Sequence, residues 1–408
     1  MKIAFFFVLF ATQIAFSQED NKETTYPMRT FYDLFKKEDS IKAEKPDKKT
    51  SLIILPTLGY QPANGFTLGF ISQYSFKKNP ENKISLISGG ASYSTKKQIL
   101  TYLKNNMYLK DDTFFLSGDC RYYVFSQSNF GLGSAIIPYG EAYDNFDLLA
   151  IEQPMKYNYF KFHETVSYNL LPNFFAGAGI HIDAYSKIND ELLDVSNDKH
   201  TYHYDYSQKY GFNPEQYGVK GMSLNFIFDT RDNLINTNNG LFFNLNYRFN
   251  PKINTTQQQS TTLLLESRYF IPLSKTNKQH VLGFWSYGQF VTSGHLPYLN
   301  LPAIGWDQNS RSGKGYIQGL IRGANLVYFE TEYRFPITRN QLISGTVFAN
   351  ATTASDVAGS VKLFQSIQPA AGIGLRILLD KKTLTNFVVN AGLGRGSQTF
   401  YFNDGEGF

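Results

Sequence analysis

The chain has 408 residues, with 39 Lys+Arg against 34 Asp+Glu and a formal net charge of +5. That excess is too small to point to nucleic acid, and a lone cysteine, Cys120, excludes an internal disulfide framework or a cysteine-rich zinc site. Only 18% of residues are charged while 16% are aromatic, with 32 Gly, which suits neither a disordered chain nor a helical membrane protein. Past the amino terminus no apolar run approaches the ~20 residues of a spanning helix. A transmembrane β-barrel is left, because its strands alternate apolar and polar and average to mild hydrophilicity.

In chain order, Lys2, the apolar run IAFFFVLF and then Ala15-Phe16-Ser17 read as a secretory signal over residues 1–17, with Gln18 as the mature start. Residues 18–50 are highly charged and read as a short periplasmic leader. Phe31, Leu34 and Phe35 could give it one apolar face, either on a flexible tail or on a short helix lying in or against a barrel.

From Ser51 the pattern has period two. Leu241, Phe243, Leu245, Tyr247 and Phe249 share one face, with Asn244, Asn246 and Arg248 on the other. Val327, Phe329, Tyr333 and Phe335 oppose Glu330, Glu332 and Arg334 in the same way. Such segments have an oily face and a wet face. Sixteen of them are predicted, near 52–60, 66–76, 83–95, 98–109, 113–125, 155–170, 174–187, 219–231, 241–250, 260–271, 281–293, 326–337, 341–353, 368–379, 384–394 and 398–408. Short polar connections alternate with long ones at 126–154, 188–218 and 294–325. The fold class is therefore all-β: a sixteen-stranded antiparallel barrel over residues 51–408 in the bacterial outer membrane, with the short turns and both termini in the periplasm.

No serine-hydrolase elbow, HExxH pair or phosphate-binding loop is present, so no catalytic residue, metal or cofactor is expected. His200, His203 and Asp205 read as a solvated surface loop rather than a metal site. Asp229 and Arg231 point to one strand face and, with Asp232, brace a turn that runs to Gly240.

Two stretches carry a resemblance. Phe228-Asp229-Thr230-Arg231-Asp232-Asn233, followed by Gly240, is similar to the DTRDN…G signature of the bacterial surface antigen barrels, the BamA- and TamA-like family. Gly313-Lys314-Gly315-Tyr316 through Arg322-Gly323, then Glu332-Tyr333-Arg334-Phe335-Pro336, resembles that family's sixth surface loop and the strand after it. The resemblance implies a barrel-only member, since the leader is too short for a POTRA domain. It implies a loop folded into the lumen, with Lys314-Gly315-Tyr316 at its turn or, in another register, Ile321-Arg322-Gly323. The family's acidic partner position reads Asn350 here, which forms no salt bridge, so the loop cations Lys314 and Arg322 would turn to Glu330, Glu332 or Asp229. The resemblance also implies a weak seam between first and last strands, with Pro56 thinning the ladder of the first, and a terminal aromatic, Phe408, read by the assembly machinery. Phe408 is expected at the periplasmic interface, in an aromatic girdle.

The function this implies is protein insertion or transport at the outer membrane through that seam. The partners would be membrane lipid, unfolded outer membrane clients and the barrel assembly machinery. The alternative is a passive channel or structural barrel gated by the sixth loop.

Overall fold

The computed structural model describes residues 27–36, 50–61, 65–79, 81–253, 257–404 and 408. The expected signal segment and most of the leader lie outside these. The strands are β1 Thr50–Gln61, β2 Gly65–Phe76, β3 Ser85–Ser94, β4 Ile99–Leu109, β5 Phe114–Ser126, β6 Met155–Leu171, β7 Phe174–Asp190, β8 Tyr217–Asp229, β9 Gly240–Asn250, β10 Ser260–Pro272, β11 Val281–Gly294, β12 Asn325–Pro336, β13 Ile343–Ser355, β14 Gln368–Asp380, β15 Thr385–Gly394 and β16 Ser397–Asp404. They form one antiparallel sheet in sequence order. Among the described residues no helix is long and apolar enough to cross a membrane.

Alternation decides which side each residue takes. On β8, Tyr217, Val219, Ser223, Asn225, Ile227 and Asp229 are buried inside, while Met222, Leu224 and Phe226 are exposed on the outside. The same rule turns Phe243, Tyr247 and Phe249 of β9 outward and Phe242 inward. The pairing of Asn225 with Asn246 then puts two amides side by side on the inner face, in hydrogen-bonding contact. An apolar exterior is what a strand in hydrocarbon requires, and pairing with a neighbour on each side satisfies the backbone groups of β2 to β15.

One strand end bears on the sites: β8 stops at Asp229, so Arg231 lies in the turn rather than on the strand. β16 is described to Asp404, and its expected run on to Phe408 crosses residues 405–407, which lie outside the described residues.

The three long connections share one end of the barrel, and the other end carries short ones alone. Residues 188–218 are only in part a solvated loop: 191–200 are largely exposed, and a packed helix follows. Thr201 accepts a hydrogen bond from Tyr204 N as the N-cap of helix α1, Tyr202–Tyr210, and Gly211 ends it at φ +72°. His203 is fully buried, with Nδ1 2.9 Å from Asp190 Oδ2 and Nε2 3.1 Å from the Tyr217 hydroxyl. His200 meets Asp205 on the surface instead. The expectation of a solvated His-rich loop is thus corrected: the cap, the glycine and the rings of Tyr206 and Phe212 let this stretch pack as a helix under a dome of Tyr157, Tyr185, Tyr217 and Tyr298.

The two faces should respond differently to charge. Leu224→Arg, on the outward face, is expected to destabilise the folded barrel by ~2–4 kcal/mol. Asn244→Lys, which points into the polar lumen, is expected to change stability little. Urea titration in phospholipid vesicles measures both. Equal losses would contradict the assignment of faces.

Candidate functional site

The sixth connection at the outer end, residues 295–324, leaves β11 and folds back inside the wall. Its lowest point is Lys314, which is buried. Lys314 Nζ lies 2.6 Å from Glu330 Oε1 and 3.2 Å from Glu332 Oε2, on the inward face of β12. Glu332 also receives Arg334 Nε at 2.7 Å and Arg376 Nη2, from β14, at 2.8 Å. Glu330 accepts a further hydrogen bond from the Tyr328 hydroxyl. Three cations therefore share two carboxylates in a site with almost no exposure. Each charge is tolerated there only because the others are present.

Asn350 of β13 donates from Nδ2 to the backbone carbonyl of Lys314 at 2.8 Å. It holds the loop's backbone, while the carboxylates hold its charge. Lys314 Nζ also stands 4.8 Å from the Phe348 ring centroid.

The turn after Lys314 presses on the closing strands. Gly315 has φ +99°, and a Cβ there would come within 2.7 Å of Ala370 Cβ and 3.1 Å of the Leu393 backbone. Only glycine fits that approach. Gly315 N donates to Thr399 Oγ1 at 3.0 Å, and the Tyr316 hydroxyl donates to the Pro369 carbonyl at 2.6 Å. The Tyr401 hydroxyl donates to the Tyr316 carbonyl at 3.0 Å. The tip is thus bonded to β14 and β16.

The other limb of the loop is fixed to β5. Arg121 forms a two-point pair with Asp119, at 2.7 Å for each bond, and also donates to the carbonyls of Asp307 and Gln308. Lys161 Nζ reaches the same Asp119 at 2.7 Å.

Arg322 departs from expectation. Instead of meeting a carboxylate, its Nη1 donates to the carbonyls of Tyr298, Leu299 and Leu301 at 3.3, 3.0 and 3.2 Å, inside the outer dome. Gly323 follows it in the strand of chain that returns to the wall, its N–H donating to the Pro302 carbonyl at 2.9 Å. Asp229 is engaged elsewhere and takes neither loop cation. A cluster of buried backbone carbonyls can accept from a guanidinium in place of an acid, because all its N–H groups are donors.

Asp229 instead organises the turn at the short-connection end. It accepts from Arg231 Nε and Nη2, both at 2.9 Å, and from the Tyr108 hydroxyl at 2.9 Å. Asp232 Oδ1 accepts from Asn238 N and Asn239 N at 3.0 and 3.2 Å. Gly240 has φ +122°, and a Cβ there would sit 2.5 Å from the Thr230 carbonyl oxygen. The turn also reaches well beyond its own hairpin. Asn233 Nδ2 donates to the Thr383 carbonyl at 3.1 Å, and Asn236 Nδ2 to the Leu384 carbonyl at 3.2 Å. Thr383 and Leu384 belong to the β14–β15 connection, six strands further along the wall.

Phe408 does not reach the expected girdle. Its ring is buried in the interior, 5.6 Å from Trp285 and 5.7 Å from Phe270 between centroids, over Gly283. Lys314 and Arg334 stand 5.8 and 5.9 Å from it. Phe400 and Phe402 are the residues of this terminus that face outward. A lumen floor of aromatic rings and cations offers the terminal ring more contact than the interface would.

Every neighbouring pair of strands from β1 to β16 is hydrogen-bonded in the sheet, but no pairing joins β1 to β16 among the described residues. What spans that gap is side-chain contact. Ser51 of β1 bonds to Asp380 at the end of β14, and Gln73 of β2 donates to Thr385 of β15 at 2.9 Å.

Arg121, Asp119 and Arg376 were not singled out in the sequence. The signal was present: each is a charge on the inward parity of its strand. Lacking a sequence partner, none could be given a role.

Lys314→Ala leaves Glu330 and Glu332 sharing a buried site with one cation fewer. The expected loss is ~3–5 kcal/mol, with release of the loop to added protease. Lys314→Met with Glu330→Gln removes charge from both sides and should lose less. Denaturant midpoints and protease footprints of the two variants provide the comparison. A harmless Lys314→Ala would mean that the loop is held by its turn alone.

A family model for the Omp85 superfamily domain matches residues 193–408. Among solved structures, BamA from Haemophilus ducreyi lacking POTRA domains 1-3 aligns with a TM-score of 0.54 at 13% identity, over 88% of this chain and 70% of that one. CdiB from Acinetobacter baumannii aligns with a TM-score of 0.51 at 12% identity, over 88% of this chain and 60% of that one. At such identities the likeness is one of fold. The chain spans under two thirds of the length of CdiB. No curated protein matches the sequence. The family match takes in more than half of the chain, which belongs to the Omp85 superfamily of bacterial outer membrane β-barrels.

Proposed function

We propose that this barrel takes part in inserting or translocating proteins at the outer membrane, and that the β1–β16 boundary is where a client strand is received. The observation that carries the reading is the missing backbone pairing between β1 and β16, among the described residues, in a sheet whose other neighbours all pair. Leu52, Ile54 and Leu58 of β1 face outward at that boundary, and Pro56 removes one donor from the same strand. An edge that offers unpaired N–H and C=O groups beside hydrocarbon is costly, and an added strand would satisfy it. Unfolded outer membrane chains are the fitting partners. The work is done by strand exchange, without a catalytic residue.

In this reading the sixth loop, through Lys314, Gly315 and Tyr316, sets the shape of the boundary from inside, since its tip is bonded to β14 and β16. Photo-crosslinkers placed along β1 and β16 in cells test the idea. Capture of unfolded barrel proteins from both strands is expected. Ion conductance in planar bilayers with no such capture would favour the passive channel instead.

The terminal phenylalanine enters as a signal for assembly and as a packing residue. Phe408→Ser is expected to reduce the folded amount in the membrane. The burial of the ring against Trp285 adds an expected fall in the denaturant midpoint, of ~3 kcal/mol or more for loss of a buried aromatic. Membrane yield and midpoint are measured separately. Normal yield with a lowered midpoint would remove the signalling role.

A further inference from the structure

The short helical turn Phe31–Phe35 plays no part in the function proposed above. Its acidic residue, Asp33, is only 5% exposed and holds the turn to the barrel. Asp33 Oδ2 accepts from Thr30 N at 2.9 Å and from Lys381 Nζ at 2.7 Å. Arg29 N donates to the Asn340 carbonyl at 3.0 Å. Asn340 lies in the β12–β13 connection and Lys381 in the β14–β15 connection, so the turn is pinned at two points on the short-connection rim. Burial alone would push the Asp33 carboxyl up. The Lys381 and Thr30 hydrogen bonds outweigh it and hold the carboxyl well below the usual carboxylate range, so the pin is present at neutral pH and lost only in strong acid.

With Asp33 turned to the barrel, the other four side chains are left facing away. Phe31, Tyr32, Leu34 and Phe35 are 39%, 46%, 55% and 77% exposed. The Phe31 ring packs edge-on against Phe35 and Tyr32, at 5.3 and 6.1 Å. A mobile tail could fold such residues away from water. A pinned turn cannot, so the apolar patch is a fixed feature of the rim.

Two observations say what covers it. The first is position, at the foot of the strands that carry the lipid-facing belt. Ile337, just beyond β12 and three residues before Asn340, is exposed, as are Val347 of β13 and Ile373 and Leu375 of β14. The second is charge. The exposed cations Lys36, which also pairs with Asp33 at 3.4 Å, Arg339 and Lys382 flank the patch in the chain and in the two connections that hold it. Aromatic rings beside cations form the pattern of a membrane–water boundary, where the rings sit at headgroup level and the cations meet phosphate.

We propose that residues 31–35 are an interfacial anchor, seated in the headgroup–acyl boundary of the periplasmic leaflet beside β12–β15. The occupant of the patch is phospholipid. Because the turn is fastened to the connections rather than to a strand, it ties the height of this arc of the barrel to the leaflet surface.

The test uses the full chain with Phe35→Trp, reconstituted into phosphatidylethanolamine–phosphatidylglycerol vesicles with and without bromine on the acyl chains. The native tryptophans give a quiet background: Trp285 is fully buried in the lumen and Trp306 is half-buried against Tyr159. The expected result is blue-shifted emission from the new indole, with quenching by brominated lipid several times that of the parent protein. Bromine near the carbonyl end of the acyl chain should quench more than bromine near its tip. Leu34→Trp serves as a second probe should the first variant fail to fold, with heat-modifiable gel migration as the folding check. Blue-shifted emission without quenching would mean that protein covers the patch, and water-like emission without quenching would mean that nothing does. Either result overturns the anchor.

Discussion

Hydrocarbon offers no hydrogen bonds, and the rest of this structure follows from that single constraint. Every backbone N–H and C=O inside the bilayer has to find a partner in the chain itself. A sheet of sixteen strands in sequence order does this for all but the outer edges of β1 and β16, each strand bonding to its sequence neighbours. The alternation of side chains then sorts the sequence: Leu224 and Phe226 go to lipid, while Ser223 and Asn225 go to the inside. The interior cannot be apolar, because each strand's second face is polar, and it is too large to be filled by wall residues alone. The sixth loop fills part of it, and its charges have to be matched: Lys314 by carboxylates on the wall, Arg322 by the loop's own carbonyls, and Asp307 by the loop's own N–H groups and the Ser312 hydroxyl.

That matching sets the geometry around Lys314. Glu332 serves Lys314, Arg334 and Arg376 at once, so three elements (the loop, β12 and β14) meet at one carboxylate. Such an arrangement is a weak net stabiliser but a strong discriminator, because losing any one member strands the others. On β5, Asp119 holds Arg121 and Lys161 together, and Arg121 carries the clamp to the loop backbone at Asp307. The loop is held between two ionic clamps with its glycine turn wedged against β14 and β15. It therefore has one position in the lumen rather than a range.

Much of this was legible in the chain. Strand positions followed from period-two alternation, and most ends fell within two or three residues because Gly, Asn and Asp mark the turns. Lys314, Glu330 and Glu332 could be placed together by combining a motif with the inward parity of β12. What failed was local or distant in a definable way. Arg322 was assigned a carboxylate because a cation suggests an anion, and carbonyls in a loop leave no mark in a sequence. The helix at Tyr202–Tyr210 was masked by its tyrosines, which read as surface residues until a dome exists to bury them. Phe408 continues the parity of β16 in the sequence, and nothing in the local pattern announces that Trp285, over a hundred residues earlier, offers a ring to stack on. Parity predicts facing only while a strand lasts.

The contacts at the two ends of the barrel converge on the same strands. At the short-connection end, Asn233 and Asn236 reach the carbonyls of Thr383 and Leu384. In the lumen, Gly315 and Tyr316 bond to Thr399 and Pro369. At the outer end, Arg395 of the β15–β16 turn lies between the rings of Tyr139 and Tyr143, 3.9 and 4.5 Å from their centroids, and donates to the Pro138 carbonyl. The closing hairpins are thus positioned from within and from both ends, while backbone bonding to β1 is missing among the described residues. If the β1 edge is to accept another strand, the barrel must keep β14–β16 in place without β1's help. Loop, turn and dome together supply that support. The side of the boundary that carries β1 is then the side free to change partners.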